Sequence, residues 1–314
     1  MTLTELKYIV AVARERHFGR AADACFVSQP TLSVAIRKLE EELGVQLFER
    51  GGSEVAVTPV GARIVEQAQH VLEQTNAIRE IAVQGKDPLT GPLRVGVIYT
   101  IGPYLLPRLV PRMIEDAPQM PLLLQENFTV KLLELLRQGD VDLAILADPF
   151  PDHGLATQGV YDEPFVVAVP KQHRWVRRKT IRSAELKEQT MLLPGTGHCF
   201  RDQVLEVCPE LSRYSQSSVG IQKTFEGSSL ETIRHMVASG VGITVLPWTA
   251  CAQPREDDLL RYIPFMAPPP HRRVSLVWRK SFGRVAAIEA VRRAILDADL
   301  PGVTPLPDER PVFH

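Results

Sequence analysis

The sequence predicts an α/β protein that begins with a winged helix-turn-helix, continues through one long connecting helix and ends in a two-lobed domain. Three observations predict this fold. Apolar residues recur at helical spacing in three short segments up to residue 43, and one uninterrupted helical pattern follows from residue 58 to about residue 85. From Pro92 onward, short apolar strands alternate with helical segments.

The three short helices are predicted from their apolar repeats and their end signals. The first covers residues 3–16, the second is the Ala-rich segment 19–26, and the third runs from residue 30 to about residue 43. Ser28 can cap the third helix, and Gly44 can end it. Because the second and third helices are joined by a tight turn, they form a unit suited to placing the third helix in the major groove of DNA.

The third helix has two predicted faces and is followed by a predicted wing. The residues expected to face inward are Leu32, Ile36, Leu39 and Leu43. The residues expected to contact DNA, from the turn and the exposed face, are Ser28, Gln29, Pro30, Thr31, Ser33, Arg37 and Lys38. Residues 47–58 predict two short strands around a Gly-Gly turn, and Arg50 in this wing is expected to reach phosphate.

The composition is that of a soluble globular protein with more than one core. The chain has 314 residues and 45% hydrophobic content, which suits two or three domains. No stretch approaches about 18 uncharged apolar residues, so we expect no signal peptide, no membrane span and a cytoplasmic location. Residues 1–60 hold seven Lys/Arg against eight Asp/Glu, and DNA contacts must therefore depend on where the charges lie.

These patterns divide the chain into four parts. We predict a DNA-binding domain at 1–58, a connecting helix at 59–90, a two-lobed domain at 91–300 and a disordered Pro-rich tail at 301–314. Lobe I is assigned to 91–162 and 268–300, as a doubly wound parallel sheet, and lobe II to 163–267. Two such lobes form a ligand cleft. The connecting helix, roughly 40 Å long, is expected to be a dimerisation rod, with a solvated linker as the alternative.

The pair Cys199 and Cys208 is the main chemical signal in the sequence. Cys199 follows His198, precedes Arg201 and lies at a predicted helix start, and cationic neighbours and helix starts favour the reactive thiolate. Cys208 is the natural resolving partner. Nine residues of helix place two side chains on opposite faces roughly 13 Å apart, whereas a disulfide needs Cα atoms within about 7 Å. Oxidation would therefore require the predicted helix at 201–207 to melt at least partly.

Other interpretations of the cysteines remain open. Both could be small buried hydrophobic residues, which is common for cytosolic cysteines. His198, Cys199 and Cys208 could belong to a zinc site, but no fourth ligand is apparent. Cys25 and Cys251 have no cationic neighbour. The chain also lacks a phosphate-loop lysine motif and a Gly-x-Gly-x-x-Gly signature, so we expect no cofactor and no metal.

Several motifs along nearly the whole chain resemble the LysR-type transcriptional regulators. The motifs that carry the resemblance are Phe18-Gly19-Arg20-Ala21-Ala22, Val27-Ser28-Gln29-Pro30-Thr31-Leu32-Ser33, Leu47-Phe48-Glu49-Arg50 and Thr58-Pro59-Val60-Gly61. Four further motifs resemble the peroxide-sensing members of that family: Tyr99-Thr100-Ile101-Gly102-Pro103-Tyr104, Glu126-Asn127-Phe128-Thr129, Gly197-His198-Cys199-Phe200-Arg201-Asp202-Gln203 and Glu226-Gly227-Ser228-Ser229-Leu230-Glu231-Thr232.

The resemblance implies an architecture and a set of site residues. It implies a periplasmic-binding-protein-like regulatory domain, a homodimer or homotetramer on double-stranded promoter DNA, and contact with RNA polymerase. It also implies that Cys199 reacts with hydrogen peroxide and that Cys208 resolves the product as a reversible disulfide. The residues expected around the peroxide are Thr100, Thr129, Gly197 and His198, with Arg272 or Arg273 supplying positive charge.

The resulting functional prediction is a regulator that senses peroxide and activates oxidative-stress defence genes. Two alternatives stay open. A LysR-type regulator of a small organic effector would suit the cleft but would leave the cysteine pair unexplained. A thiol peroxidase would use the same sulfur chemistry but would give no reason for the first 60 residues. We therefore expect that the protein is not an enzyme.

Overall fold

The computed structural model describes residues 1–49, 55–84, 88–152, 154–207, 229–251, 259–307 and 311–313. It separates into two units, one of Met1–Lys86 with Ser281–Gly283 and one of Asp87–Lys280 with Arg284–His314. No helix in the described part of the chain is both long and apolar enough to cross a membrane.

The first unit begins with the three predicted helices, which are α1 (Leu3–Glu15), α2 (Phe18–Ala24) and α3 (Gln29–Leu43). Their ends follow the expected chemistry. The Ser28 hydroxyl accepts the backbone N–H of Thr31 at 3.3 Å, and Gly44 ends α3 in the left-handed region with φ 67°. Both end signals predicted from the sequence are confirmed.

The core of this unit lies between α1, α2 and α3. Leu32, Ile36 and Leu39 are fully buried there, as their spacing predicted. Leu43 was expected to face inward as well, but its side chain is 36% exposed. That expectation is wrong because the end of α3 extends beyond the core, so every residue from 41 to 44 is exposed.

A two-stranded wing and a long helix complete the first unit. Strands β1 (Phe48–Glu49) and β2 (Ala56–Val57) pair antiparallel, as expected for a wing. Arg50 lies outside the described residues, so its expected contact with phosphate stays a prediction. Helix α4 (Pro59–Gln84) has 26 residues and is therefore about 39 Å long.

The second unit contains a mixed sheet rather than the doubly wound parallel sheet that we expected. The elements that form its first part are β3 (Leu93–Ile98), α5 (Gly102–Asp116), β4 (Leu122–Asn127), α6 (Thr129–Gln138) and β5 (Leu143–Ala147). Strand β3 pairs parallel with β4 and with β5. The sheet then continues with antiparallel strands because the chain enters and leaves lobe II through them.

One 16-residue strand, β6 (Leu155–Pro170), connects the two lobes. Three of its partner strands are β7 (Thr244–Pro247), β8 (Leu260–Pro264) and β9 (His271–Arg279). Residues 155–164 of β6 pair with β9, whereas residues 165–170 pair with β7 and β8. In the sequence, only the apolar stretch 165–169 has a continuous strand pattern, because Gly159 and Pro164 interrupt the pattern before it. The lobe boundary proposed at residues 162 and 163 falls inside this strand.

Two helices of lobe II and one returning helix complete the unit. They are α7 (Cys199–Val207), α8 (Leu230–Ala238) and α9 (Val285–Leu296). The first of them contains the helix expected at 201–207. Phe165, Phe200 and Val204 lie in the lobe II core, which α7 therefore helps to form.

The segment after residue 300 is ordered where the structure describes it, which contradicts the predicted disordered tail. Strand β10 (Thr304–Pro305) and strand β11 (Val312–Phe313) both pair antiparallel with β6. Between them, the N–H of Leu306 donates to the carbonyl of Val160 at 2.9 Å. The Pro-rich composition misled the prediction because an edge strand can contain proline when that position needs no N–H donor.

Gly302 at the start of this segment offers a test of its order. Its φ is +72°, and a Cβ there would lie 2.2 Å from the Trp248 ring. We expect both Gly302→Ala and Gly240→Ala to lower the free energy of unfolding. The loss for Gly302→Ala should be larger by at least about 1 kcal/mol. Gly240 has a similar φ of +84° but open space around it, so it controls for backbone strain alone. Equal urea unfolding midpoints for the two variants would show that the contact with Trp248 is absent in solution.

Candidate functional site

A small pocket in the second unit lies where β3, β4 and α7 meet. Its lining residues are Ile98, Tyr99, Thr100, Asn127, Phe128, Thr129, Gly197, His198 and Cys199. The first six follow the carboxyl ends of two neighbouring parallel strands, which is a common position for ligand sites. The space open to the centre of a water-sized molecule is about 10 Å³, which is close to the minimum for one water. The pocket therefore fits only a very small ligand.

Two buried polar atoms in this pocket have no hydrogen-bond partner among the described residues. They are Oγ1 of Thr129 and Nε2 of His198. Both side chains belong to residues that are more than nine-tenths buried. Since buried polar groups in proteins nearly always have a partner, these two atoms point to a polar molecule that completes the pocket.

His198 does not supply the positive charge that the sequence suggested. Burial lowers the pKa of its imidazole, so the ring is neutral at neutral pH. The ring packs edge-on against Phe128, with 4.8 Å between centroids, and lies 6.1 Å from Tyr99. Gly197 before it has φ +96°, a backbone conformation that favours glycine. A neutral imidazole can donate one hydrogen bond and accept another.

Arg201, the second cation expected near Cys199, is engaged elsewhere. Its Nη1 donates to the carbonyl of Pro194 at 2.9 Å. The guanidinium therefore fixes the chain that leads into α7. Cys199 is the first residue of α7, and a helix start favours a negative charge.

Arg272 reaches the pocket indirectly, through a buried ion pair. Its Nη2 lies 2.7 Å from Oε2 of Glu163, and both side chains are completely buried. Arg272 also donates to the hydroxyl of Thr100 at 2.9 Å and to the carbonyl of Thr100 at 3.0 Å. Arg273, the other candidate, forms an exposed pair with Asp162 instead. The structure thus links Arg272 rather than Arg273 to the pocket lining.

Glu163 is a residue that the sequence reasoning missed. It accepts the N–H of Thr249 at 2.8 Å and the hydroxyl of the same residue, in addition to its pair with Arg272. The signal that could have found it is a charged residue next to the apolar stretch Phe165–Val169. A carboxylate in a buried strand requires a cation, and buried charges are paired.

Cys199 begins a helix that is held by both lobes. Its thiol is free and half-buried. Phe200 packs edge-on against Phe165 at 5.2 Å between centroids, and Nε2 of Gln203 donates to the carbonyl of Asp148 at 2.7 Å. Cys208, the expected partner of Cys199, lies outside the described residues.

The residues expected at DNA form an exposed surface around the start of α3. Gln29, Pro30, Thr31, Arg37 and Lys38 are exposed, whereas Ser33 is half-buried. Ser28 is exposed, but its hydroxyl is used as the helix cap and also lies 2.7 Å from the hydroxyl of Thr31.

A residue in the turn before α3 was missed by the sequence reasoning. Phe26 is 96% exposed and has φ +56°, which is unusual for an aromatic residue. Neither the apolar repeats nor the motifs marked it, because a turn position between two helices is normally polar or glycine.

In the described part of the chain, no three His, Cys, Asp or Glu residues form a group that could hold a metal ion.

Two family models match the chain. Residues 3–62 match the bacterial regulatory helix-turn-helix protein model of the lysR family, and residues 86–299 match the LysR substrate binding domain. A hydrogen peroxide-inducible genes activator from Pectobacterium carotovorum is 41% identical over 279 residues, covering 89% of this chain and 90% of that protein.

Solved structures are also similar over nearly the full length. A full-length OxyR mutant from Pseudomonas aeruginosa is 50% identical, covers 99% of both chains and superposes with a TM-score of 0.78. A hydrogen peroxide-bound mutant of Corynebacterium glutamicum OxyR is 33% identical, with a TM-score of 0.62, and covers 95% of this chain and 92% of that one.

The buried ion pair behind the pocket predicts a stability difference between two adjacent residues. Glu163→Gln should lower the free energy of unfolding by about 3 kcal/mol, because it leaves the Arg272 guanidinium buried without a counter-charge. Asp162→Asn removes the half-buried partner of the exposed Arg273 and should cost less than about 1 kcal/mol, because solvent reaches this pair. Urea unfolding measures both values. Similar losses for the two variants would contradict the burial of the Arg272 pair.

Proposed function

Since the chain belongs to the LysR family of bacterial helix-turn-helix regulators, we propose that it is a DNA-binding regulator that senses hydrogen peroxide through Cys199 and activates oxidative-stress defence genes. The observation that carries this proposal is the position of Cys199 beside a pocket of one-molecule size with two unpartnered polar atoms. The similarity to hydrogen peroxide-inducible gene activators supports it.

The chemistry that we assign to the pocket is a nucleophilic displacement on peroxide. The Cys199 thiolate attacks one oxygen, an S–O bond forms as the O–O bond breaks, and the leaving hydroxide takes a proton to become water. The sulfenic acid on Cys199 is then attacked by the Cys208 thiol, which forms the disulfide and releases a second water. The sulfurs lose two electrons, and the peroxide gains them.

The pocket residues suit peroxide because it both donates and accepts hydrogen bonds. In our assignment, Thr129 and neutral His198 bind its oxygens, and the backbone at Gly197 shapes the floor. Arg272 donates to the hydroxyl oxygen of Thr100, so the hydroxyl hydrogen of Thr100 is left to donate to the departing oxygen. Arg272 therefore acts as a positioning residue for Thr100.

Oxidation also has a conformational consequence in this proposal. Helix α7 runs from Cys199 to Val207, the residue before Cys208 in the chain, and its two ends are therefore about 12 Å apart, whereas a disulfide needs Cα atoms within about 7 Å. Forming the disulfide must unwind at least part of α7. That would withdraw Phe200 from the lobe II core. It would also break the hydrogen bond from Gln203 to the carbonyl of Asp148, the residue that follows β5. The regulatory domain would then pack differently in its two redox states.

The DNA-binding part of the proposal rests on α3. We assign base contacts to Gln29, Thr31 and Arg37 and assign phosphate contacts to Lys38 and to Arg50 of the wing. We further propose that the regulator acts in the cytoplasm as a homodimer or homotetramer and recruits RNA polymerase. An organic effector is disfavoured because it would leave the position of Cys199, beside a pocket of one-molecule size, without a role.

The first prediction of this proposal concerns the sulfur chemistry. Cys199→Ser should abolish the transcriptional response to a hydrogen peroxide dose without a loss of fold, because serine is nearly isosteric but cannot form the sulfenic acid. Cys208→Ser should accumulate a sulfenic acid that a dimedone-type reagent traps and mass spectrometry detects. Cys251→Ser, which alters another half-buried cysteine, is the matched control and should respond as wild type. A normal response in Cys199→Ser would refute the sensing role.

The second prediction concerns base recognition. Gln29→Ala should cost about 1–3 kcal/mol on the duplex that the wild-type protein selects from a random pool, and much less on unselected duplex. Gln67→Ala is the control, since Gln67 is an exposed glutamine on α4. Fluorescence anisotropy titrations give both affinities. Equal losses on selected and unselected DNA would show that Gln29 does not read bases.

A further inference from the structure

Lobe II carries a strongly basic surface segment that the proposed sensing chemistry does not use. We call residues 171–182 the basic loop; it contains six Lys/Arg and no Asp/Glu. Extending the segment to residue 188 gives seven Lys/Arg against two Glu, which leaves 29 Lys/Arg against 35 Asp/Glu in the rest of the chain. Net positive charge is therefore concentrated in this segment, whereas the rest of the chain is net acidic.

The basic loop is ordered rather than a flexible charged segment. Trp175 is 3% exposed and belongs to the lobe II core, so it anchors the loop. Backbone bonds from the N–H of Val176 to the carbonyl of His173 and from Arg178 to Trp175 form consecutive turns. The guanidinium carbons of Arg174 and Arg178 lie 6.0 and 5.4 Å from the centre of a Trp175 ring. This cation–π contact holds both arginines near the anchor.

Much of this charge is not neutralised. Arg178 pairs with Glu185, and Arg174 lies 3.9 Å from Glu188. No carboxylate of the described residues pairs with Arg177 or Lys179, which are both exposed. Burial lowers the pKa of His173, so the charge of the loop comes from lysine and arginine and persists across the physiological pH range.

The chemistry of the exposed side chains identifies the kind of partner. The exposed residues of the basic loop are Lys171, Gln172, Arg174, Arg177, Arg178, Lys179, Thr180 and Arg182. None is apolar, whereas interfaces between proteins contain an apolar core with few charges. Contacts with a phosphate backbone, by contrast, are made almost entirely by lysine, arginine and small polar groups.

The helix-turn-helix needs additional positive charge if the protein is to bind DNA tightly. Residues 1–60 hold one more acidic than basic residue, yet phosphate neutralisation supplies much of the affinity of DNA-binding proteins. We propose that the basic loop binds the phosphate backbone of duplex DNA and adds sequence-independent affinity to the contacts made by α3. This inference rests on the proposed DNA binding for its choice of partner, but not on peroxide sensing.

The test is the salt dependence of DNA binding by the full-length protein. The variant R177Q/K179Q removes two exposed cations that have no carboxylate partner among the described residues, and the probe is a long random-sequence duplex. We expect the slope of log affinity against log salt to fall by about two per chain, with weaker binding at low salt. The matched control is K131Q/R293Q, which removes two exposed cations from α6 and α9. The control should keep the wild-type slope.

The possible outcomes separate the hypotheses. An unchanged slope in R177Q/K179Q, or an equal decrease in the control, would overturn the DNA contact of the loop. Unchanged DNA affinity with a loss of transcription by added RNA polymerase would overturn it too, in favour of an acidic protein partner. If the wild-type protein bound neither random nor selected duplex, the proposed regulatory function itself would fail. A retained Gln29-dependent preference in R177Q/K179Q would show that base recognition is independent of the loop.

Discussion

The buried pair between Arg272 and Glu163 is the interaction on which the regulatory domain depends. Both side chains have no exposed surface, so each charge is tolerable only because the other is present. Glu163 also accepts two hydrogen bonds from Thr249, and Arg272 donates two to Thr100. These bonds connect the crossing strand β6 and the return strand β9 with the end of β3. The pair therefore fixes the lobes and one wall of the pocket together.

The pocket and helix α7 are held in a structure that oxidation can disturb at moderate cost. Burying a large apolar side chain such as Phe200 contributes about 1.5–3 kcal/mol, and a disulfide that closes a short loop contributes a few kcal/mol. If α7 must unwind on oxidation, the free energy lost when Phe200 leaves the core and the free energy contributed by the disulfide are similar in size and opposite in sign. The two redox forms would then be close in free energy, which allows cellular thiols to reverse the switch.

Local chemistry could be predicted from the sequence, and long-range pairing could not. The bounds of α1, α3 and α7 follow from apolar spacing, from the cap at Ser28 and from Gly44, all of which act within a few residues. Strand β6 and the pairing of residues 304–305 with it depend on partners more than 100 positions away. Composition alone made the C-terminal segment look disordered, whereas the open edge of β6 gives its backbone groups hydrogen-bond partners.

The candidate site shows the same division. The structure places Cys199 at a helix start and places Thr100, Thr129 and His198 in the lining of the same pocket. Sequence adjacency reveals neither the lowered pKa of His198, which burial causes, nor the bond of Arg201 to the carbonyl of Pro194. Charge enters the pocket wall through Arg272, which is 73 positions away and is held there by Glu163. The reactivity of the thiol is therefore tied to the packing of both lobes, so a change in that packing would also change the chemistry at Cys199.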